Sequence, residues 1–344
     1  MGGRCQSTKA YLSIYHHQPE VYLVKLSFQI SEDFTDQDLD FVHQLGVEYV
    51  SVNLITQPAG SFAAVHARIH KAGLKIANIA YQRLRNMPEV TLNLPGRDEK
   101  IAEFIDALRE LADIGGDYST YAHMADGVWA SAPVMARGGT LTRQFNIADA
   151  EGYWLDKRYT GNLAHGRAYS EQEIWDNFLY FMDKVIPVAE ELGVRLGVHP
   201  DDPPVPVLGG VPRSIFSTIG GYLRAFDQVD SSSLGACLCL GTWLEGGAGM
   251  GVDPVEAIDA FAQRGTLWKI HLRNVSSPVP IFTETAIDEG YGDMPTFARA
   301  LRRNNFGGIL IADHVPAMVG GHYASWAYPM GYIKGLFDAV HSEI

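Results

Sequence analysis

The sequence has few cysteines, fewer basic than acidic side chains and no long hydrophobic run. Among 344 residues, 27 Lys and Arg face 40 Asp and Glu, which gives a formal net charge of −13. Nucleic acids and anionic membranes are bound by clustered Lys and Arg, so we expect neither as a partner. No segment reaches the roughly 18 consecutive apolar residues of a membrane-spanning helix. The cysteines, Cys5, Cys237 and Cys239, are too few for a disulfide framework.

The composition and the N-terminus are typical of a globular protein that is not secreted. Hydrophobic residues make up 47% and charged residues 19% of the chain, which excludes a disordered protein. The N-terminal sequence MGGRCQSTKAYLSIYHH lacks the apolar core of a secretory signal. Few cysteines and no signal together favour a reducing, cytoplasmic location.

Short apolar segments alternate with helix-like segments along the chain. Thr35–Leu45 begins with a cap-like Thr-x-x-Asp pattern and ends before Gly46, and Ser170–Leu192 begins with the capping box SEQE and ends before Gly193. The predicted strands are Tyr22–Phe28, Glu48–Leu54, Leu74–Ile79, Tyr118–His123, Val194–Val198, Leu234–Leu238, Leu267–Ile270 and Gly308–Ala312. The other predicted helices are Ser61–Lys71, Asp98–Ile114, Asp253–Gln263, Thr296–Arg303 and Trp326–Val340.

Eight alternating β and α units with apolar strands predict an α/β fold of the (β/α)8 TIM-barrel type. We expect residues 1–344 to form one barrel domain. A doubly wound open sheet is the alternative, but GGVPRS and GGAGMG do not join a strand to a helix as a dinucleotide-binding loop does. The long segment 124–169 follows the fourth predicted strand, and we expect it to be a lid-like loop or small insertion that covers the active site.

Ligand-type side chains stand at the ends of four successive predicted strands. His199, Cys239, His271 and Asp313 each end or directly follow such a strand. Active sites of TIM barrels form at this end of the strands, so we expect these side chains to meet. Two imidazoles, a thiolate and a carboxylate together would bind a divalent transition metal. The soft thiolate by itself favours zinc or ferrous iron.

Other polar groups lie next to these candidate ligands, and we expect those of the next residues to bind the substrate. Asp201 and Asp202 follow His199 in the sequence HPDDPP, where the prolines stiffen the loop. Arg273 and Asn274 follow His271, and an Arg binds carboxylate or phosphate groups in a bidentate manner. A salt bridge at the top of the barrel is the alternative role for Asp202 and Arg273. His314 adjoins Asp313 and is a candidate general acid or base.

These motifs resemble those of the mannonate dehydratases, within the xylose-isomerase-like barrels. The resemblance is carried by the segment from RAYSEQEIWDNF to HPDDPP, by Cys239-Leu240-Gly241-Thr242, by HLRN and by Asp313-His314, in this order. It extends over about residues 96 to 335 and also includes RDEKIAEFIDALRELADIG and RGGTLTRQF. In the matching phrases, the metal ligands are His199, Cys239, His271 and Asp313, as the strand ends already suggested.

The resemblance implies a hydro-lyase that dehydrates D-mannonate to 2-keto-3-deoxy-D-gluconate. It implies Mn²⁺ or Fe²⁺ as the metal, with Zn²⁺ still open, and a catalytic pair of His314 and Tyr328. Tyr323 and Tyr332 lie in the same segment, and AYPMGYIKGL matches the family best at Tyr328. In the expected mechanism one of the pair removes the C2 proton and the other protonates the departing C3 hydroxyl. Arg273 and Arg137 are expected to neutralise the substrate carboxylate.

Four alternatives remain at this stage. Where the family has a Trp-x-Arg-Thr-like phrase, this chain has Trp129-Ala130-Ser131-Ala132, so another polyhydroxylated substrate is an alternative. A metal-dependent sugar isomerase or epimerase would also begin by removing a proton beside an oxygen. A hydrolase that activates a metal-bound water could use the same ligands. A non-catalytic sugar-acid-binding protein would be expected to lack a ligand or part of the pair of His314 and Tyr328. The aromatic-rich C-terminal segment predicts either a packed barrel helix or the interface of a homo-oligomer.

Overall fold

Eight parallel strands form the centre of the molecule in a computed structural model that describes residues 24–343. Along the sheet the strands stand in the order β3-β2-β1-β8-β7-β6-β5-β4. The end strands β3 and β4 contact each other without a ladder of backbone hydrogen bonds, so the barrel is nearly closed. The strands are Lys25–Ile30 (β1), Tyr49–Leu54 (β2), Lys75–Tyr81 (β3), Tyr118–Tyr121 (β4), Arg195–Val198 (β5), Leu234–Cys239 (β6), Leu267–Leu272 (β7) and Ile309–Ala312 (β8).

Helices between the strands account for the parallel order. They are Asp36–Gln44 (α1), Phe62–Lys71 (α2), Pro88–Thr91 (α3), Arg97–Asp113 (α4), Glu171–Leu192 (α5), Ile219–Val229 (α6), Leu240–Gly246 (α7), Pro254–Gln263 (α8), Met294–Arg303 (α9) and Gly321–His341 (α10). The capping boxes predicted at Thr35 and Ser170 both form, since each side chain accepts a hydrogen bond from the backbone three residues on.

The predicted barrel is confirmed, with shifted element boundaries. All eight predicted strands overlap an observed one, although Tyr22 at the start of the first prediction lies outside the described residues. Three helices, α3, α6 and α7, are absent from the prediction. For α6, Gly220 and Gly221 in the first turn explain why the sequence does not predict the helix, because glycine is a poor helix former. The last helix begins at Gly321 rather than at Trp326.

The interior of the barrel is apolar at its lower end and polar at the mouth. Tyr118 of β4 packs in one cluster with Trp268 of β7 and with Ile309 and Ile311 of β8. Because β4 is not a neighbour of β7 or β8 in the sheet, this contact must form inside the barrel. The cluster fills the interior beneath the carboxyl ends of the strands, where the polar side chains gather.

The segment 124–169 is not a structureless loop, but a set of short antiparallel strands. Val128–Ala130 and Lys157–Tyr159 both pair with Glu151–Trp154. Gln144–Asn146 pairs instead with Ile281–Thr285, which belongs to the connection after β7. The insertion is therefore attached to a second loop at the same end of the barrel.

The C-terminal aromatic segment packs against the barrel as part of α10. The Trp326 ring lies 5.2 Å from the ring of Phe28 in β1, and Tyr323 lies 4.7 Å from Phe41 of α1. The packed barrel helix, one of the two interpretations of this segment, is therefore observed. The homo-oligomer interface stays a prediction. Among residues 24–343, no helix is long and apolar enough to cross a membrane.

Candidate active site

The four predicted metal ligands converge at the carboxyl ends of β5 to β8. Ligand atoms of His199, Cys239 and His271 all lie within 4.8 Å of one another. Oδ2 of Asp313 lies 3.7 Å from the Cys239 sulfur and 3.8 Å from Nδ1 of His271. The strand-end position of these residues thus brings all four together, although they span more than a hundred positions of the chain.

Both histidines keep one ring nitrogen free to bind a cation. Nδ1 of His199 donates to the carbonyl oxygen of Pro200 at 2.7 Å, which leaves Nε2 as the unprotonated nitrogen. Nε2 of His271 lies 3.3 Å from the sulfur of Cys237, and its Nδ1 is buried without any hydrogen-bond partner. A buried nitrogen with no partner is costly, and a metal ion would satisfy it. The residues therefore fit a divalent metal.

The protonation states of these side chains agree with that assignment. Burial lowers the pKa of His199 to about 3 and that of His271 well below its usual range, so both imidazoles are neutral. Burial raises the pKa of the Cys239 thiol to about 12. In Asp313 burial opposes ionisation, but His314 and Arg273 outweigh it and hold the pKa well below the usual value. The thiol thus needs a nearby cation to become a thiolate ligand.

Arg273 lies behind the ligands at the centre of a buried carboxylate network. Its guanidinium bonds to Glu245, to Glu284 at 2.7 Å and to Asp202 at 3.2 Å, while Nε lies 3.3 Å from Asp313. The side chain is only 1% exposed. This position favours the salt-bridge alternative for Arg273 over the predicted contact with substrate, because four carboxylates lie against the guanidinium.

Arg143, from the insertion, joins the same network from above. Its Nη2 lies 2.6 Å from Glu284 and 3.1 Å from Asp202. Burial would raise the pKa of Asp202, but Arg143 and Arg273 outweigh it and lower the pKa. Burial raises the pKa of Glu245 to about 8 despite the same arginines. Two arginines and three carboxylates thus fix the insertion to the barrel mouth.

His314 stands at the edge of this network and is partly open to solvent. Its Nδ1 lies 2.6 Å from Oε1 of Glu284, and its Nε2 lies 3.7 Å from Oδ1 of Asp313. The backbone of His314 has a φ of 47°, in the left-handed region that non-glycine residues rarely adopt. Such outliers persist where the surrounding structure holds them, and they cluster at functional sites.

Three further predicted substrate-binding residues are also engaged within the protein. Asp201 accepts a hydrogen bond from Ser217 at 3.0 Å, and burial raises its pKa to about 6. Asp202 is enclosed by Arg143 and Arg273, as described above. The side chain of Asn274 bonds to the backbone of Ile287 and Gly292 and so holds the loop after β7. These positions fit structural support better than contact with a substrate.

Arg137 and Tyr328 form a separate cluster on the wall of a larger cleft. The Arg137 guanidinium makes a bidentate ion pair with Asp288 at 2.8 and 2.9 Å and lies 3.5 Å from the Tyr328 hydroxyl. The cleft has a volume of about 290 Å³ and is bounded by the insertion, the loop after β7 and α10. Burial and Asp288 raise the pKa of Tyr328. Both residues thus face a space large enough for a small sugar acid.

Several residues of the site are missing from the sequence prediction. One of them is Cys237, which contacts His271. It could have been found from the sequence, because residues two apart on a strand share a face and Cys237 lies two residues before Cys239. Glu245 lies in α7, and Glu284 lies in an antiparallel strand of the connection after β7. Neither adjoins a predicted barrel strand, so no local pattern marked them.

Comparisons with known proteins identify the family of this chain. A protein-family model described as D-mannonate dehydratase (UxuA) matches residues 32–344. Mannonate dehydratase 2 of Halalkalibacterium halodurans is 27% identical over 281 residues, which cover 74% of this chain and 80% of the relative.

Solved structures support the fold. The crystal structure of mannonate dehydratase from Streptococcus suis serotype 2 matches with a TM-score of 0.77 at 23% identity, covering 92% of this chain and 93% of that one. A structure of L-ribulose 3-epimerase matches with a TM-score of 0.59 at 11% identity, covering 93% and 96%. At these identities the likeness concerns the barrel alone.

Proposed function

The chain belongs to the D-mannonate dehydratase family of hydro-lyases, and we propose that it converts D-mannonate to 2-keto-3-deoxy-D-gluconate. The observation that carries this proposal is the convergence of His199, Cys239, His271 and Asp313 beside His314. In the overall reaction the C2–H and C3–O bonds break, water leaves, and the resulting enol becomes the 2-keto acid. No oxidant or further reactant is needed.

We propose that the four converging side chains hold Mn²⁺ or Fe²⁺. A bound divalent metal supplies Lewis-acid polarisation of the substrate oxygens, which makes the weakly acidic C2 proton easier to remove. The thiolate of Cys239 and the neutral imidazoles favour Fe²⁺ over harder cations, and the carboxylate of Asp313 suits Mn²⁺ equally. Zn²⁺ is the third ion to be compared.

His314 and Tyr328 divide the two proton transfers in this proposal. Nδ1 of His314 is held by Glu284, so its Nε2 is the nitrogen that exchanges a proton with the substrate. A tyrosine phenol is protonated at neutral pH, so Tyr328 is the candidate donor to the departing C3 hydroxyl. Arg137 beside Tyr328 is the candidate contact for a polar end of the substrate that reaches the cleft.

The test is turnover by metal-free protein after Mn²⁺, Fe²⁺ or Zn²⁺ is added back. D-Mannonate and a panel of other aldonates serve as substrates, and the 2-keto-3-deoxy acid is the product to be measured. Product from D-mannonate that is lost in His314→Asn supports the proposal. If only another aldonate yields product, that aldonate replaces D-mannonate as the proposed substrate. Interconversion of sugars without loss of water would favour an isomerase or epimerase.

A further inference from the structure

The half of the barrel mouth opposite the metal ligands is also polar. The ligand candidates come from β5 to β8, whereas the inward side chains of β1 to β3 include amides. One small cavity joins the two halves, because His271 lines it together with residues of the first strands. The cavity is also lined by Gln29, Asn53, Asn78, Arg85 and Lys269.

Two cations line this cavity without an anionic partner. No carboxylate among residues 24–343 lies within ion-pair distance, 4.0 Å, of Arg85 or Lys269. Lys269 is 4% exposed, and within the described part of the chain its ammonium group hydrogen-bonds only to the Thr120 hydroxyl, at 3.4 Å. A buried charge without a counter-ion is costly. A bound anion would remove that cost.

The cavity also contains polar atoms that have no partner. Asn78 is 3% exposed and its Oδ1 makes no hydrogen bond, and Nε of Arg85 is likewise buried without an acceptor. Unpaired buried polar atoms are rare in folded proteins and call for a ligand or water. The cavity holds about 10 Å³, close to the space of one water molecule. It therefore matches one oxygen atom at the end of a larger molecule.

We propose that one oxygen of the carboxylate of a 2-hydroxy acid enters this cavity, where Arg85 and Lys269 bind it. We call these two residues the interior anion site. The proposal rests on the proposed function, since it places the acidic end of the substrate between the cations and His271. Arg85 and Lys269, rather than the enclosed Arg273, then neutralise the carboxylate.

The charges of the metal ligands support this placement. A divalent ion with one thiolate from Cys239 and one carboxylate from Asp313 is neutral overall, so it leaves Arg85 and Lys269 uncompensated. A carboxylate supplies one of the two missing negative charges, and its ionised oxygen forms strong hydrogen bonds with Arg and Lys side chains. A neutral sugar alcohol of the same length supplies none.

The test is calorimetric titration of Mn²⁺-supplemented protein in a His314→Asn background, so that the ligand is not consumed. The ligands are D-mannonate, D-mannitol and inorganic phosphate. We expect Arg85→Met and Lys269→Met each to weaken D-mannonate binding by about tenfold or more. Arg109→Met and Lys184→Met remove the same charges from exposed helix positions and should leave binding unchanged.

A second readout is independent of any ligand. Because Lys269 has no counter-ion, Lys269→Met should leave the melting temperature of the free protein unchanged or raise it. A marked fall would show that Lys269 is a structural partner and would overturn its place in the site. Equal D-mannonate affinity in the Arg85 variant and the unchanged protein would overturn the proposal, as would binding of D-mannitol or phosphate as tight as that of D-mannonate.

The outcomes separate this proposal from the proposed function. If Arg85→Met dehydrates D-mannonate with an unchanged KM, the interior anion site is ruled out and the proposed dehydratase function is retained. If D-mannonate binding depends on Arg85 but the protein releases no 2-keto-3-deoxy acid, the interior anion site is retained and the dehydratase function is ruled out.

Discussion

Oε1 of Glu284 lies 2.6 Å from Nδ1 of His314, and this contact fixes which nitrogen of the histidine faces the barrel mouth. Glu284 is itself held by Arg273 and Arg143. His314 is thereby tied to the same network that surrounds the candidate metal ligands. The four predictions that follow test separate parts of this arrangement.

Replacement of Glu284 by Gln should lower kcat through the orientation of His314. Loss of a carboxylate that orients a histidine typically costs about 10- to 100-fold. Steady-state kinetics with D-mannonate would measure it, with Glu191→Gln on the exposed face of α5 as the control. An unchanged kcat in Glu284→Gln would show that this contact does not serve the reaction.

The two neighbouring cysteines should differ in their effect on metal content. Cys239→Ser replaces a proposed ligand, so we expect the purified protein to lose most of its bound metal. Cys237→Ser changes only the partner of His271, and we expect metal retention with an affinity lower by about 10- to 100-fold. Elemental analysis after dialysis would distinguish them. Full metal content in Cys239→Ser would exclude the thiolate as a ligand.

A methyl group at Gly241 should disturb Arg273. A Cβ placed there would lie 2.6 Å from Nε and 2.8 Å from Cβ of Arg273, closer than real contacts allow. We expect Gly241→Ala to lower stability by about 1–3 kcal/mol, the usual cost of overpacking a buried site. Gly249→Ala is the matched control, because a Cβ there meets no atom within 4 Å. Equal melting temperatures for the two variants would contradict the close packing.

The choice of Tyr328 over its neighbours can be tested by single hydroxyl deletions. Tyr328→Phe should reduce kcat by about 10²- to 10⁴-fold, as expected for loss of a general acid or base. Tyr323 bonds to Asp38 of α1, so Tyr323→Phe should leave kcat unchanged, and Tyr332→Phe is a second control. A larger loss in either control than in Tyr328→Phe would reassign the catalytic tyrosine.

The barrel and the convergence of the four ligand candidates can be predicted from the sequence because both leave local patterns. His199, Cys239, His271 and Asp313 each follow an apolar strand, and parallel strands in a barrel end on one face. The carboxylate network escaped prediction because Glu245 and Glu284 reach the site from α7 and from an antiparallel strand. For Arg273 the sequence leaves a substrate contact and a salt bridge as alternatives, since a single sequence does not reveal that several carboxylates surround it.

The central claim is that this chain removes water from D-mannonate, and proton NMR of the reaction in D₂O tests it most directly. Mn²⁺- or Fe²⁺-loaded protein should yield 2-keto-3-deoxy-D-gluconate with one deuterium at C3, because the enol left by loss of the C3 hydroxyl takes its new proton from solvent. Exchange or inversion at C2 in a sugar acid that keeps its C3 hydroxyl would contradict the account and indicate an epimerase.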